Sequence, residues 1–420
     1  MGNVATGQQS PAGGDGHEQE QWVEPDIPWE DVPERHRRKP TDAELEKQYD
    51  AGTARIVTQR NDFLIPQLLE AFRQEQYLNL TPAYQRRLRW DKKKKSLLIE
   101  SLLMNVPIPP VFLYETEYAR YEVMDGQQRL STIREFFDNE LELTGLSKWS
   151  DLNGRRWRDL PQRIMAGLNR RSISAVILLA ETTRSAEESE EIRRFAFERL
   201  NTGGVQLNPQ EIRNCIFGGP FNDLLHELSR HELFTKIWEI PPKVRNETKR
   251  PSPELLSNSI YRQMGDCEIV LRFFAIRDTD QLAGSMKASL DNCMKRYFKV
   301  SPDILRLRRE YLDCLDTAHR IYGDGTFRLA PTGTKGRRPL SRPLYDAVMV
   351  GIDRHLQSRT ESEREGIKSA LVANSTMVVG KTNELLRNTD TRDLLVGRAN
   401  TRKSIIDRID LLTRLFADVL

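Results

Sequence analysis

The chain has 420 residues, of which 38% are hydrophobic and 30% charged, a composition typical of a globular protein with about two to three domains. No apolar run approaches the roughly 20 residues that a membrane-spanning helix needs, which excludes a transmembrane protein. The 64 basic and 61 acidic residues leave a net charge of +3, too small a total to indicate a nucleic-acid partner by itself.

The N-terminal segment and the cysteines predict a cytoplasmic protein. The first residues lack the basic and apolar regions of a secretory signal. None of the four cysteines, at positions 215, 267, 293 and 314, belongs to a C-x-x-C pair. This spacing argues against a zinc ribbon or a disulfide framework.

The first part of the chain combines a polar tail with two predicted helices. Residues 1–40 are rich in Gly, Gln, Pro and acidic residues and predict a disordered tail. Apolar residues at three-and-four spacing predict amphipathic helices over Asn61–Gln76 and Asp91–Met104, the second with Asp91 as its N-cap. In the second helix we expect five side chains to face inward: Leu97, Leu98, Ile99, Leu102 and Leu103.

A β-rich segment precedes a long helical region. Val111–Tyr114 and Tyr121–Met124 predict a hairpin, followed by a helix over Gln127–Phe137 and a buried strand over Ile173–Leu179. Helical periodicity then dominates, over Ser189–Leu200, Pro209–Phe217, Phe221–Ser229 and most of Pro253–Leu420. We therefore predict an α+β protein with a disordered tail (1–40), a mixed α/β domain (41–219) and a mostly helical C-terminal domain (220–420).

A basic cluster lies between the two predicted helices of the first domain and extends into the start of the second. From Arg86 to Lys95 the sequence reads RRLRWDKKKK, which is dense enough in positive charge to attract a phosphate backbone. The predicted DNA contacts are Arg87, Arg89, Lys92, Lys93, Lys94 and Lys95.

The most informative motif is Asp125-Gly126-Gln127-Gln128-Arg129, between a predicted strand and the helix that follows. Gly126 permits a positive φ and a close backbone approach, and the N–H groups of a first helical turn favour an anion. Arg129 adds a forked phosphate donor, the glutamines can position water, and Asp125 can hold Mg²⁺ or orient a water. The motif alone fits equally well an ordinary reading, in which Asp125 is an N-cap and Arg129 belongs to a surface ion pair.

A second motif, Arg199-Leu200-Asn201-Thr202-Gly203-Gly204, ends a predicted helix. Glycines after a helix are typical of a left-handed C-cap, so the motif by itself favours an ordinary helix stop. At a helix end, Arg199 and Asn201 would nevertheless point into any adjacent cleft.

Taken in chain order, these motifs resemble the N-terminal domain of GmrSD-type modification-dependent restriction proteins over about residues 60–220. The C-terminal helical half is similar to that of stand-alone members of the family. The resemblance is carried by Tyr84-Gln85-Arg86, Trp90, Ile99-Glu100-Ser101, Pro107-Ile108-Pro109, Asp125-Gly126-Gln127-Gln128-Arg129 and Arg199-Leu200-Asn201-Thr202-Gly203-Gly204.

The resemblance implies a fold similar to ParB and sulfiredoxin and a role in defence against phage DNA. It implies binding or hydrolysis of a nucleoside triphosphate with Mg²⁺. The nucleotide site would then comprise Asp125, Gly126, Gln127, Gln128 and Arg129, completed by Arg86, Arg199, Asn201 and Thr202. The catalytic residues would be Asp125, Gln127 and Arg129, with Asp125 as the metal ligand.

The histidines depart from the two-domain members of that family, which carry a C-terminal His-Asn-His nuclease domain. Only His319 and His355 follow His231, and no His-Asn-His arrangement surrounds them. We therefore expect no built-in nuclease of this class, and a nuclease, if the system needs one, would come from a partner chain. The resemblance and the basic cluster indicate DNA as a partner, and no feature indicates a membrane. The sequence leaves open whether the protein forms a homo-oligomer.

Two alternative functions remain open from the sequence. The first is a metal-dependent nuclease in the ParB-like domain itself, with Asp125 and a second carboxylate, Glu100 or Glu198, holding the metal. The second is a non-catalytic, nucleotide-gated interaction module whose helical half is a docking surface.

Overall fold

The computed structural model describes residues 41–52, 57–73, 77–79, 90–179, 196, 208–245, 247, 251–300, 302–329, 338–397 and 401–420. The predicted tail therefore lies outside the described residues. The strands are β1 (Thr58–Leu64), β2 (Leu78–Asn79), β3 (Val111–Glu117), β4 (Arg120–Asp125) and β5 (Ser172–Leu178). The helices of the N-terminal half are α1 (Asp42–Gly52), α2 (Ile65–Arg73), α3 (Lys92–Leu103), α4 (Gln127–Phe137) and α5 (Gln162–Asn169).

The remaining described helices make up the C-terminal half of the chain. They are α6 (Pro209–Ile216), α7 (Pro220–Ser229), α8 (Glu232–Ile237), α9 (Pro253–Ser257), α10 (Ser259–Arg262), α11 (Gly265–Ile276), α12 (Met286–Lys299), α13 (Ile304–Tyr322), α14 (Arg342–Leu356), α15 (Glu361–Ala373), α16 (Ser375–Arg387), α17 (Thr389–Val396) and α18 (Arg402–Ala417). A small mixed sheet followed by helices confirms the predicted α+β class. The predicted helix over Ser189–Leu200 lies outside the described residues.

The sheet has five described strands in the order β1-β5-β3-β4-β2. β3 and β4 form the predicted antiparallel hairpin. β5 returns parallel to β3 and pairs antiparallel with β1, while the short β2 adds parallel to β4. This order places β4 next to the short outer strand, with its carboxyl end running directly into α4.

The helix predicted over Asn61–Gln76 is wrong at its start. Asn61 pairs with Ala175 and Leu64 with Ser172, so these residues complete β1, and α2 begins only at Ile65. Phe63 and Leu64 fit a helical stripe in the sequence, but pairing with β5 satisfies their backbone groups in a sheet. Tertiary pairing therefore overrides the local apolar spacing.

Helix α3 confirms the predicted cap and corrects the predicted buried face. The side chain of Asp91 accepts a hydrogen bond from the Lys94 N–H at 2.7 Å, which satisfies one of the first-turn donors. Ile99 and Leu102 are buried, but Leu97 is 37% exposed, so its predicted inward orientation is wrong. Successive residues turn by about 100° around a helix, and a run of neighbours cannot share one face.

The sheet lies between two hydrophobic cores. Leu113, Val123 and Ile177 pack into a core with α2, α3, α4 and α5. Tyr114 and Leu178, their neighbours along the strands, belong to the core of the helical half. Successive side chains of a strand point to opposite faces, so the sheet joins the two halves of the molecule.

Fully buried ion pairs hold the helical half together. Asp346 on α14 contacts Arg272 on α11, with Oδ1 3.0 Å from Nε, and Arg408 on α18 at 3.4 Å. All three side chains are completely buried. On α6, Arg213 pairs with Glu268 of α11 at 3.1 Å, which ties this helix to the same core. Within the described residues, no helix combines the length and apolarity needed to cross a membrane.

Candidate functional site

The predicted strand, turn and helix are present at the end of β4. The strand ends at Asp125, Gly126 forms the turn, and α4 begins at Gln127. The N-cap is Gly126 in the left-handed region (φ 98°), with no side-chain cap, so the alternative of Asp125 as N-cap is wrong. The first intrahelical bond runs from the Leu130 N–H to the Gly126 carbonyl at 2.9 Å.

Two independent constraints require glycine at position 126. A positive φ of this size strains any residue that carries a Cβ atom. A Cβ there would also lie 2.5 Å from Cγ1 of Val111, the first residue of β3, which is too close for two carbon atoms. The turn therefore packs directly against the start of the neighbouring strand.

Arg129 is held by oxygen atoms of its own domain. Its Nη2 donates to Asp125 Oδ2 at 2.5 Å, while Nη1 donates to the carbonyl oxygens of Pro109 and, at 3.3 Å, Pro110. Its side chain is only 13% exposed, and this burial lowers the pKa of the guanidinium although the Asp125 charge opposes that change. The guanidinium thus joins the first turn of α4 to the segment before β3.

Asp125 occupies a more open position than its partner. Its side chain is 55% exposed, so the carboxylate faces solvent at the carboxyl end of β4. Arg129 does form an ion pair, and its partner is Asp125, but only the acidic half of the pair lies at the surface, so it is not the surface pair of the alternative reading. Pro109 and Pro110 contact Arg129 through their carbonyl oxygens, and the sequence predicted no such contact.

The two glutamines face different surroundings. Gln127 is 8% exposed and lies against the protein interior. Gln128 Oε1 accepts a hydrogen bond from the Trp90 N–H at 3.2 Å, which links α4 to the residue that begins the described part of the basic cluster. The backbone carbonyl of Gln128 also accepts from Thr132 Oγ1 at 2.6 Å.

Glu100, the second carboxylate of the alternative nuclease hypothesis, is already engaged. Its Oε1 accepts from the N–H groups of Lys148 and Trp149 at 2.7 and 2.9 Å. Burial would raise the pKa of Glu100, but these backbone hydrogen bonds and those from Ser147 hold the pKa below its ordinary value. The carboxylate therefore anchors the loop at residues 147–149. Within the described ranges, no group of three or more His, Cys, Asp or Glu side chains is arranged to hold a metal.

The four lysines of the basic cluster differ in how available they are. Lys95 pairs with Glu135 of α4 at 2.7 Å, with side chains 14% and 17% exposed. Lys92 makes a more exposed pair with Glu142 at 3.3 Å, and the Lys94 ammonium lies 5.0 Å from the Trp90 ring centre. The positive charge of Lys95 is thus largely compensated inside the protein.

Several of the predicted site residues lie outside the described part of the chain. They are Arg86, Arg87, Arg89, Glu198, Arg199, Asn201 and Thr202.

Residues 65–218 match the model of the GmrSD restriction endonuclease, N-terminal domain. This region belongs to the GmrSD N-terminal domain family. The match runs from α2 past the end of α6, and it contains the sheet from β2 to β5 and the Asp125–Arg129 turn. The GmrSD N-terminal domain connects the chain with restriction and phage defence.

No curated protein and no solved structure matches the chain significantly. The likeness of this GmrSD N-terminal domain to ParB and sulfiredoxin therefore remains an implication of the resemblance. In the helical half, His319 Nδ1 lies 3.3 Å from Thr326 Oγ1, and His355 Nε2 lies 3.0 Å from the Thr413 carbonyl. Both histidines thus contact their own domain, as expected for packed side chains.

Proposed function

We propose that the chain is a cytoplasmic, nucleotide-binding component of a prokaryotic restriction or anti-phage system that hydrolyses a nucleoside triphosphate and interacts with DNA. The observation that carries this proposal is the glycine turn at Gly126, which lies within the matched family region. It directs the N-terminus of α4 to the end of β4, where the helix dipole and the first-turn N–H groups favour an anion.

The side chains around the turn suit a phosphate with a divalent cation. Asp125 presents a half-exposed carboxylate, and Mg²⁺ bound to nucleotides commonly takes one or two carboxylates with the phosphates. Arg129 lies beside it and places positive charge one helical turn from the cap. When bound, Mg²⁺ would neutralise phosphate charge, and Asp125 would orient the attacking water. The Gln127 side chain, which is 8% exposed, would have to turn outward to share that role.

The DNA interaction is proposed for the exposed side of the basic cluster. Lys92 and Lys93 lie on the exposed face of α3, so their charges can reach a phosphate backbone. Arg87 and Arg89, which lie outside the described residues, are proposed as further contacts on the sequence alone. Such contacts add affinity without base preference. A nuclease activity, where the system needs one, is proposed to come from a partner chain.

A nucleotide-gated interaction module without turnover is the second candidate. It is favoured by the three oxygen acceptors that already hold the Arg129 guanidinium. A bound phosphate would compete with these acceptors for the guanidinium. The contacts of Arg129 with Pro109 and Pro110 would then change when a nucleotide binds. Tight nucleotide binding without phosphate release would select this candidate over the hydrolase.

The test is nucleotide affinity and phosphate release for the wild type, Arg129→Ala and Arg129→Lys. We expect nucleotide affinity to fall about tenfold or more in both variants. Alanine removes the charge, and lysine keeps the charge but not the forked geometry. Arg120→Ala, which removes a 53% exposed arginine at the other end of β4, is the matched control. Unchanged nucleotide affinity in folded Arg129→Ala would refute the assigned site.

A further inference from the structure

A cavity of about 460 Å³ lies in the N-terminal domain, among β1, α2, β2 and the hairpin. Its volume is within the range of small-molecule sites in proteins. Three buried leucines, Leu68, Leu78 and Leu113, form an apolar floor. Gln67 and Glu70, both exposed on α2, line its mouth. The cavity therefore combines an apolar interior with a polar entrance.

Two tyrosines form one wall of this cavity. The rings of Tyr77 and Tyr121 meet edge to face, with centroids 5.5 Å apart and planes at 79°. The Tyr121 N–H donates to the Tyr77 carbonyl at 2.9 Å, next to the pairing of β2 with β4, so the backbone holds the two residues side by side. Burial, with the nearby Tyr77 and Glu115, raises the pKa of Tyr121, so its hydroxyl remains a donor at neutral pH.

The cavity is separate from the Gly126 turn. Tyr121 lies near the start of β4 and Asp125 at its end, about 13 Å away at roughly 3.3 Å per residue. Tyr118, at the tip of the same hairpin, is 79% exposed and lies at the cavity's end of the sheet. An aromatic surface thus gathers at the end of β4 that the phosphate-binding proposal does not use.

The polar groups at the mouth restrict the class of ligand. Gln67 Oε1 accepts from the Leu64 N–H at 3.0 Å, so the group of this amide that can serve a ligand is its Nε2 donor. Glu70 adds a carboxylate acceptor that also pairs with Arg73 at 3.1 Å. A purely aliphatic ligand would leave these donors and acceptors unused, whereas a flat heterocycle uses the aromatic wall with its face and the polar groups with its edge.

We propose that this cavity binds a planar heteroaromatic ring of the nucleobase type, at a site separate from the Gly126 turn. The ring would lie against Tyr77 and Tyr121 with its polar edge toward Gln67 and Glu70. Stacking of a base on an aromatic ring is possible for every base. Stacking in this cavity would therefore add affinity without choosing among the bases. The ring can come from a free nucleoside or from an unstacked base of a single strand, because both present the same face and edge.

The experiment uses the full chain and a fluorescent base, 2-aminopurine, whose emission is quenched when it stacks. One arm is the free nucleoside, the second a single-stranded oligonucleotide carrying one such base, and the third the same strand with an abasic position and a terminal dye. Quenching of the nucleoside identifies a free ligand, and quenching of the strand alone identifies a base delivered by nucleic acid. Either result supports a base-binding cavity.

The variants assign that quenching to the cavity. Ala71→Phe places a ring into the cavity from α2, and Tyr77→Ala removes one wall at a residue that is 36% exposed. We expect each to weaken binding of the base about tenfold or more. Ala166→Phe, which adds the same ring at an exposed position of α5, is the control and should bind as the wild type does.

Three results would overturn the inference. They are, first, no quenching in either base-containing arm, or equal affinity for the abasic strand where the base-containing strand is quenched; second, unchanged quenching in both folded cavity variants; and third, quenching lost in Arg129→Ala but kept in Ala71→Phe. The last result would place the ring at the Gly126 turn and leave the nucleotide proposal intact. Conversely, Ala71→Phe should retain nucleoside triphosphate binding, so the two proposals can fail separately.

Discussion

The two halves of the molecule use the same acid–arginine pair in opposite surroundings. Asp125 and Arg129 meet at the end of β4, where the carboxylate is 55% exposed and the guanidinium 13%. Asp346 and Arg272 meet inside the helical half, where both side chains are fully buried. The chemistry of the partners is identical, and only the access of solvent differs.

This difference separates a group that can act on a ligand from one that can only hold the fold. A buried pair has lost the hydration of both charges, so removing one partner leaves the other uncompensated in the interior. A half-exposed carboxylate keeps part of its hydration and can exchange water for a cation or a phosphate-bound metal. The contrast supports the proposed binding at the N-terminal turn, and it gives the Asp346 cluster the role of anchoring helices.

The largest expected effect comes from removing the buried carboxylate Asp346. Asp346→Ala removes the carboxylate that contacts both Arg272 and Arg408, and we expect the free energy of unfolding to fall by about 3–5 kcal/mol. Asp418→Ala, which removes a 65% exposed partner of Lys381, should change it by less than about 1 kcal/mol. Urea unfolding followed by circular dichroism measures both. Similar losses in the two variants would contradict the architectural role of Asp346.

The second prediction concerns the turn that exposes Asp125. Gly126→Ala meets a positive φ and the side chain of Val111, whereas Gly154→Ala meets a positive φ with nothing within 4 Å. We expect about 1 kcal/mol of destabilisation at Gly154 and a further ~1–3 kcal/mol at Gly126 from the overlap. Thermal unfolding and nucleotide titration are the measurements. Nucleotide binding should weaken only in Gly126→Ala, and equal binding by both variants would separate the turn from the site.

The third prediction uses a buried carboxylate that has backbone partners and no arginine. The pKa of Glu100 is lowered from 4.5 in the folded state because, although burial opposes it, backbone N–H groups bind the ionised form. The ionised Glu100 therefore stabilises the folded state at a pH above its ordinary pKa. This contribution to the free energy of unfolding is lost as the pH falls through the lowered pKa of the folded state. Glu100→Gln should lower the free energy of unfolding by about 1–3 kcal/mol at neutral pH, with a smaller difference from the wild type in acid.

Urea unfolding of Glu100→Gln at neutral and acidic pH checks this sign. Glu140→Gln, at an exposed position on the loop after α4, is the control and should show little change at either pH. A loss of stability in Glu100→Gln that stays constant with pH would mean that the amide fails for steric reasons and that charge is not the cause.

The smallest effect concerns the basic cluster. Lys93→Ala should reduce the slope of DNA affinity against the logarithm of salt by about 0.9, the value for one lost phosphate contact. Lys95→Ala should leave the slope unchanged, because its charge is already paired with Glu135. Salt titration with duplex DNA distinguishes them. An equal change of slope in both variants would show that pairing inside the protein does not withdraw Lys95 from DNA.

Most of the secondary structure around the site follows from local sequence. The hairpin, α3 with its Asp91 cap and α4 from Gln127 to Phe137 were predicted where the structure has them. Residues close in the chain determine each of these elements. Alternating apolar residues specify the hairpin, and the Asp91 side chain caps α3 by accepting from the N–H three residues later. The prediction failed over Asn61–Leu64, where the partner that decides between helix and strand is β5, more than 100 residues away.

The site was predictable in its motif but not in its contacts. The residues from Asp125 to Arg129 stand at a strand, turn and helix junction, as their types and spacing indicated. The sequence could not show that Pro109 and Pro110 hold Arg129, that Glu100 anchors the loop at 147–149, or that Tyr77 reaches Tyr121. These pairs are distant in the chain, and residue types alone do not specify which side chains meet.

The sequence by itself determined the α+β class, the order of the elements and the glycine turn, because each follows from local periodicity and backbone preference. Only the tertiary structure decided which charges are exposed. Burial depends on the packing of segments that are far apart in the chain, and it fixed Asp125 at the surface and Asp346 inside. The cost of removing a charge from water depends on that burial, so packing determines which of two identical carboxylates remains accessible from solvent.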